Sequence, residues 1–185
     1  MLRIRVLVLL LAAGLGLASS LAAGDCACDH LNAATLADAD CSLCREAEKH
    51  AAVGDTIFFV RDASPRKPNR TLALPVVHGK GQQDLAHLAS EQRTILWKAA
   101  ITKAQELWPG QWGLAVNSPT VRTQCHLHVH IGKLNDGADE STGRLVATPE
   151  EIPVPPNGVG IWLHPAPGGL HVHMDREISE PVLMR

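Results

Sequence analysis

The sequence contains no tyrosine and only two phenylalanines, and aromatic residues make up 3% of it. A core of stacked rings is therefore excluded. The interior has to be built from Leu, Val, Ile and Ala, helped by Trp97, Trp108, Trp112 and Trp162. A surplus of charge is also missing. The formal net charge of -2 argues against a dedicated nucleic-acid binder, which needs a basic face. The only long apolar run is "VLVLLLAAGLGLA", Val6 to Ala18, too short for a confident bilayer span. Arg3 and Arg5 precede it, and Ser20-Leu21-Ala22 follows with small residues at the spacing of a cleavage site. Residues 1–22 read as a secretory signal, or as an anchor if uncleaved. Either way the expectation is a periplasmic or secreted protein, with the anchored form beside a membrane.

Against these scarcities stand five cysteines and ten histidines. Cys26, Cys28, Cys41 and Cys44 crowd together, and Cys125 lies far away. In an oxidising compartment the default is one or two disulfides, joining Cys26 or Cys28 to Cys41 or Cys44. Cys41-x-x-Cys44 also has the spacing of half a zinc site. Pairing Cys125 leaves another thiol free.

Hydrophobic periodicity divides the rest. Residues 23–40 form a Cys-containing N-terminal segment. Cys28–Ala52 reads as mostly helical with a break near Asp40. Asp55–Asp62 and Thr71–Val77 read as a hairpin around "ASPRKPNR". Asp84–Trp108 is the longest helical stretch, with Ser90 and Glu91 able to restart it, and Pro109-Gly110 ends it. Trp112–Ser118 and Cys125–Leu134 are two further strands. Residues 135–185 form a C-terminal extension expected to run over the surface, with a last hairpin in which "GIWLH" and "GLHVHMD" flank "PAPGG". The expected architecture is α+β: an antiparallel sheet with helices packed on one face.

The most informative stretch is "CHLHVHIGKL". In a strand, side chains alternate faces, so His126, His128 and His130 share one face while Leu127, Val129 and Ile131 share the other. The aliphatic set belongs in the core and the imidazoles toward a cleft. Two chemistries use such a row. Imidazoles on one strand can ligate zinc, with His164, His171 or His173 completing the set. Alternatively, a neutral imidazole attacks phosphorus and forms a phosphoramidate that water resolves.

"HLHVHI" resembles the histidine-triad motif of nucleotide hydrolases and transferases. The wider stretch "LAVNSPTVRTQCHLHVHI", Leu114 to Ile131, is similar to bacterial CDP-diacylglycerol pyrophosphatases, although Val121 stands where that family has glycine. The resemblance implies a histidine-triad-like catalytic domain over residues 41–134. It implies His128 as nucleophile, His130 on the transferred phosphate and His126 as the third triad member. Asn117, Ser118, Arg122, Thr123 and Gln124 would cradle substrate phosphate. It implies hydrolysis of a nucleoside diphosphate linkage, with CDP-diacylglycerol giving CMP and phosphatidate as the leading case. No cofactor is expected for catalysis. Relatives carry a structural zinc, and here Cys41, Cys44, His78 and His126 match its ligands in order. A nucleotide or lipid-nucleotide partner, no nucleic acid and a homodimer are the further expectations. The alternatives are a hydrolase or transferase of soluble nucleotides, a zinc hydrolase that uses His126 and His128 as ligands, and a periplasmic zinc- or copper-binding protein without catalysis.

Overall fold

The computed structural model describes residues 26–81, 83–140 and 143–185. Residues 1–22, read as a signal, lie outside them. Among the described residues no helix is long and apolar enough to cross a membrane.

The described residues form an α+β fold: seven antiparallel strands in one sheet, and two α-helices. Strands β1 (Ile57–Arg61) and β2 (Thr71–Pro75) are the expected hairpin, with Phe59 opposite Ala73. Helix α1 (Ser42–Ala51) precedes them. Helix α2 (Ser90–Leu107) follows; a 3₁₀ turn at Leu85–His87 stops short of it. The break falls just before Ser90, where the Gln92 side chain accepts the Ala89 N–H at 2.9 Å and satisfies a donor the helix leaves open. Strands β3 (Trp112–Val116) and β4 (Val129–Lys133) complete the expected set.

The C-terminal residues do more than run over the surface. Strands β5 (Arg144–Val146), β6 (Ile161–Ala166) and β7 (Gly169–His173) join the same sheet, in the spatial order β1-β2-β4-β3-β6-β7-β5. The β6–β7 hairpin is the one anticipated around "PAPGG". Its attachment to β3, pairing Ala115 with Trp162, is new.

Strand alternation sorts the sheet into two faces. Leu114, Val116, Val129, Ile131, Ile161, Leu163 and Val172 pack in one core with Leu96, Trp97, Ala100 and Ala104 of α2. The neighbours of those strand residues, among them Ala115, His130 and Trp162, belong to the other face. Helix α1 sits there: its Ala47 packs with Phe58, Leu72 and Leu74, whereas Ala73 packs with α2. The expectation of helices on one face is thus corrected. Both sides of the β1–β2 hairpin are apolar, so each side needs a cover.

Two disulfides, Cys28–Cys41 and Cys26–Cys125, tie the N-terminal segment to α1 and to the residue before the triad. Cys44 is left as a free, buried thiol whose pKa burial pushes up to about 11.

The C-terminus returns across the α1 face. Gly113 and Gly132 are cross-strand neighbours, and Leu183 fills the space their missing side chains leave: a Cβ on Gly113 would lie 2.6 Å from Leu183 Cδ2. Buried Arg70 donates to the carbonyls of Glu180 at 2.9 Å and Leu183 at 2.6 Å. Leu183→Ala should empty this notch and lower unfolding free energy by about 2–5 kcal/mol. Urea denaturation measures it, and an unchanged midpoint would mean that the C-terminus does not seat here.

Candidate active site

The return of the C-terminus closes one side of a cleft of about 450 Å³. His128 and His130 line it, together with Asn117, Arg122, Thr123 and Gln124. The strand begins only at Val129, so His126 and His128 lie on the approach to it. His126 does not reach the cleft. It is fully buried, its ring packed against His78 with centroids 5.1 Å apart and against Phe58. The expectation that all three imidazoles face one cleft is corrected to two, because the third is buried between His78 and Phe58.

His128 has the features of a nucleophile. Its Nδ1–H donates to the His126 carbonyl at 2.9 Å, which fixes the tautomer and leaves Nε2 with its lone pair. Burial, reinforced by the Arg122 charge, lowers its pKa to about 4, so the ring is neutral at ordinary pH. His130 lies 4.9 Å from it, centroid to centroid. His130 is also held neutral, first by burial and then by the fields of His128 and Arg70. Its Nε2 is 3.2 Å from Glu180 Oε2 without a hydrogen bond between them. His126 is driven down to about 3 by burial, against the hydrogen bond its Nδ1 makes to the Leu127 carbonyl.

Arg122 supplies the positive wall. One terminal nitrogen donates to the Gln83 carbonyl, while Nε and the other terminal nitrogen are buried without a partner among the described residues. Burial lowers its pKa to about 10, against the pull of Asp84, which leaves it charged at neutral pH. Buried guanidinium donors without acceptors are costly, and an anion in the cleft would satisfy them.

Other expected contacts have structural tasks. Asn117 Oδ1 accepts the backbone N–H groups of Ser179 at 2.8 Å and Glu180 at 3.0 Å, so it clamps the C-terminal turn. Gln124 accepts from Ser42 Oγ at 2.7 Å and donates to the Ala39 carbonyl, holding the start of α1. Ser118 does not line the cleft. It is fully buried, and its hydroxyl pairs with Thr120 at 2.7 Å to cap a 3₁₀ turn.

The cleft also contains groups the motif did not indicate. Arg61, Arg66 and Lys67 come from the β1–β2 hairpin, with Asp62 among them. Lys67 meets both Glu180 oxygens, at 2.6 and 2.7 Å. The basic run "SPRKPNR" was a usable signal for the hairpin cations. Glu180 had none, since it arrives from the far end of the chain.

The Cys41, Cys44, His78 and His126 zinc set does not fit. Cys41 is spent in the disulfide to Cys28, so it offers no thiolate. His78 Nε2 is engaged by Glu48 Oε1 at 2.7 Å. His78 Nδ1 and His126 Nε2 remain buried and unpartnered, which is less than a closed Cys₂His₂ site. Among the described residues, His, Cys and acidic side chains converge within 4.8 Å at three places. One, Cys28, Cys41 and Cys125, is taken by the disulfides. Asp62, His130 and Glu180 form the second, in the cleft, where Lys67 and Arg70 already bind the Glu180 carboxylate. The third is Asp139, His164, His171 and His173.

No protein-family model, curated protein or solved structure matches the chain.

The depressed histidine pKa values predict an acid-sensitive fold. Below about pH 6.5 the unfolded chain binds protons that the folded chain refuses, so stability falls as pH falls toward about 4. Each of the three buried imidazoles contributes up to about 1.4 kcal/mol per pH unit in that window. Urea midpoints should be level from about pH 7 to 8 and drop steeply toward pH 5. A level profile throughout would mean these rings are not held neutral.

Proposed function

We propose that the protein is a histidine-triad-like phosphohydrolase that cleaves a nucleoside diphosphate linkage in the cleft between β4 and the C-terminal turn. The observation that carries this reading is His128: buried, neutral, its Nδ1 engaged, in one cleft with an Arg122 guanidinium two of whose nitrogens lack acceptors among the described residues. Such a pair can attack phosphorus and hold the charge that develops on its oxygens.

In the first step the Nε2 lone pair forms a bond to phosphorus, and the anhydride P–O bond breaks with its electrons leaving on the departing phosphate. Water then attacks the phosphoramidate, the P–N bond breaks, and a water proton is released as His128 recovers its lone pair. Arg122, Lys67 and the hairpin arginines bind the diphosphate charge. His130 contacts the phosphoryl group undergoing transfer. The residues provide this route from side chains alone, with no cofactor in any step.

CDP-diacylglycerol, split to CMP and phosphatidate, is the leading substrate, on the likeness of "NSPTVRTQ" and the triad to enzymes of that activity. A soluble nucleotide is the second reading. It is favoured by the cleft's walls, which are mostly polar, with Leu43, Leu72 and Val121 among the few apolar residues. An exported location agrees with two disulfides tying the first described residues to the start of α1 and to the residue before His126.

CMP release from CDP-diacylglycerol, measured with chelator present, tests the proposal. His128→Ala should lose more than about 1,000-fold in turnover. Arg122→Ala should lose about 100-fold while the fold is kept. Turnover of CDP-alcohols or other soluble nucleotides, but not of the lipid, would select the second reading. Full activity in His128→Ala would overturn both.

A further inference from the structure

The β6–β7 hairpin brings three imidazoles to one point, away from the triad strand. His164 and His171 are cross-strand partners, and His173 is the next residue on the same face as His171. Asp139, from the link between β4 and β5, reaches over them. Its Oδ1 lies 3.3 Å from His164 Nε2, 2.9 Å from His171 Nδ1 and 3.4 Å from His173 Nε2. The two Nε2 atoms of His164 and His173 are 3.4 Å apart.

These distances have a simple geometric meaning. A tetrahedral zinc ion with bonds of about 2.0–2.1 Å places its ligand atoms about 3.3–3.4 Å from one another. Of the cluster's six separations, the two from His171 to the other imidazoles lie within 4.8 Å, and of the four given above three already have the tetrahedral value. The fourth, from Asp139 to His171, needs to open by about half an ångström, which an exposed loop carboxylate can do.

Without an ion the cluster holds hydrogen bonds between His171 and Asp139 at 2.9 Å and between His173 and His164 at 3.4 Å, but one contact stays unfavourable. His164 Nδ1 lies 3.0 Å from the Pro165 carbonyl, and only an N–H can bond there. In the tautomer with that bond, the Nε2 turned toward Asp139 and His173 carries a lone pair. A lone pair facing a carboxylate oxygen is repulsive. A cation at the centre turns the same lone pair into a ligand, and the Pro165 bond becomes the outer contact that orients a metal-binding histidine.

The surroundings keep the rings in place. His173 is stacked on Trp162, centroids 3.7 Å apart, and its side chain is fully buried. The Asp139 side chain is 43% exposed, which leaves an entry path. Gly143 lets the chain pass: a Cβ there would stand 2.6 Å from His171 Nε2.

We propose that Asp139, His164, His171 and His173 bind one zinc-class divalent metal ion, which fastens the β4–β5 link to the β6–β7 hairpin. Imidazole nitrogen and one carboxylate suit zinc in a closed tetrahedron. The site is independent of the hydrolytic cleft and of its proposed chemistry.

The test uses the full chain, oxidised and stripped with EDTA, then titrated with zinc against a chromophoric chelator. The expected result is one tightly held equivalent. Asp139→Asn and His171→Ala should each weaken binding by more than about 100-fold, while Cys44→Ala/His78→Ala should leave it unchanged. Cobalt(II) should give intense visible bands of a tetrahedral site with no thiolate charge-transfer band in the near ultraviolet. This measurement on the unaltered chain holds even if a histidine variant misfolds. Near-UV circular dichroism checks the Asp139→Asn fold. No bound zinc in the unaltered chain, undiminished binding in a folded Asp139→Asn/His171→Ala variant, or a thiolate band that disappears with Cys44→Ala would each overturn the proposal.

Discussion

Strand alternation in a single sheet is the constraint on which everything else depends. One set of strand residues is aliphatic and is closed by α2, with Leu96, Trp97 and Ala100 against Leu114, Val129 and Ile131. The opposite set is then free of core duty over much of its width. It can carry small residues at Gly113, Ala115 and Gly132, and imidazoles at His130, His164, His171 and His173. A register shift of one residue would put the imidazoles under α2 and the aliphatic residues in water, so the core protects the chemistry of the other face.

That second face needs its own cover, and the chain supplies it from both ends. The N-terminal segment and α1 cover the β1–β2 side and are secured by Cys28–Cys41 and Cys26–Cys125. The C-terminal turn crosses the middle of the sheet, seated by Leu183 over two glycines and pinned by Arg70. Between the two covers lies the cleft. Asn117 illustrates the economy of this arrangement: it lines the cleft and, by accepting two backbone N–H groups, holds the turn that carries Glu180 to it.

The electrostatics of the cleft follow from the same burial. Desolvation keeps His126, His128 and His130 neutral, whereas Arg122 stays charged because its ordinary pKa is so high. A neutral imidazole beside a fixed positive charge is an arrangement suited to an anion. The Lys67–Glu180 pair adds a charge balance that leaves the hairpin cations organised before any ligand arrives. The β6–β7 cluster has the reverse bias, with one carboxylate facing three imidazoles, and therefore suits a cation.

The sequence by itself determined the α+β class, the β1–β2 and β6–β7 hairpins, the long helix and its break near Ser90, and the aliphatic side of the triad strand. Those are local periodicities, and local chemistry governs them. It also singled out His128, Arg122 and the crowded cysteines, because unusual residue types in close order leave a visible mark. Tertiary structure alone decided that Cys125 pairs with Cys26, that Cys41 is lost to zinc, and that His126 is buried against His78 and Phe58 instead of in the cleft. It decided that the last fifty residues extend the sheet, bring Glu180 to the cleft and bring Asp139 to three histidines. Each of these outcomes depends on which distant segments meet, and a pattern read a few residues at a time does not contain the energy of those meetings.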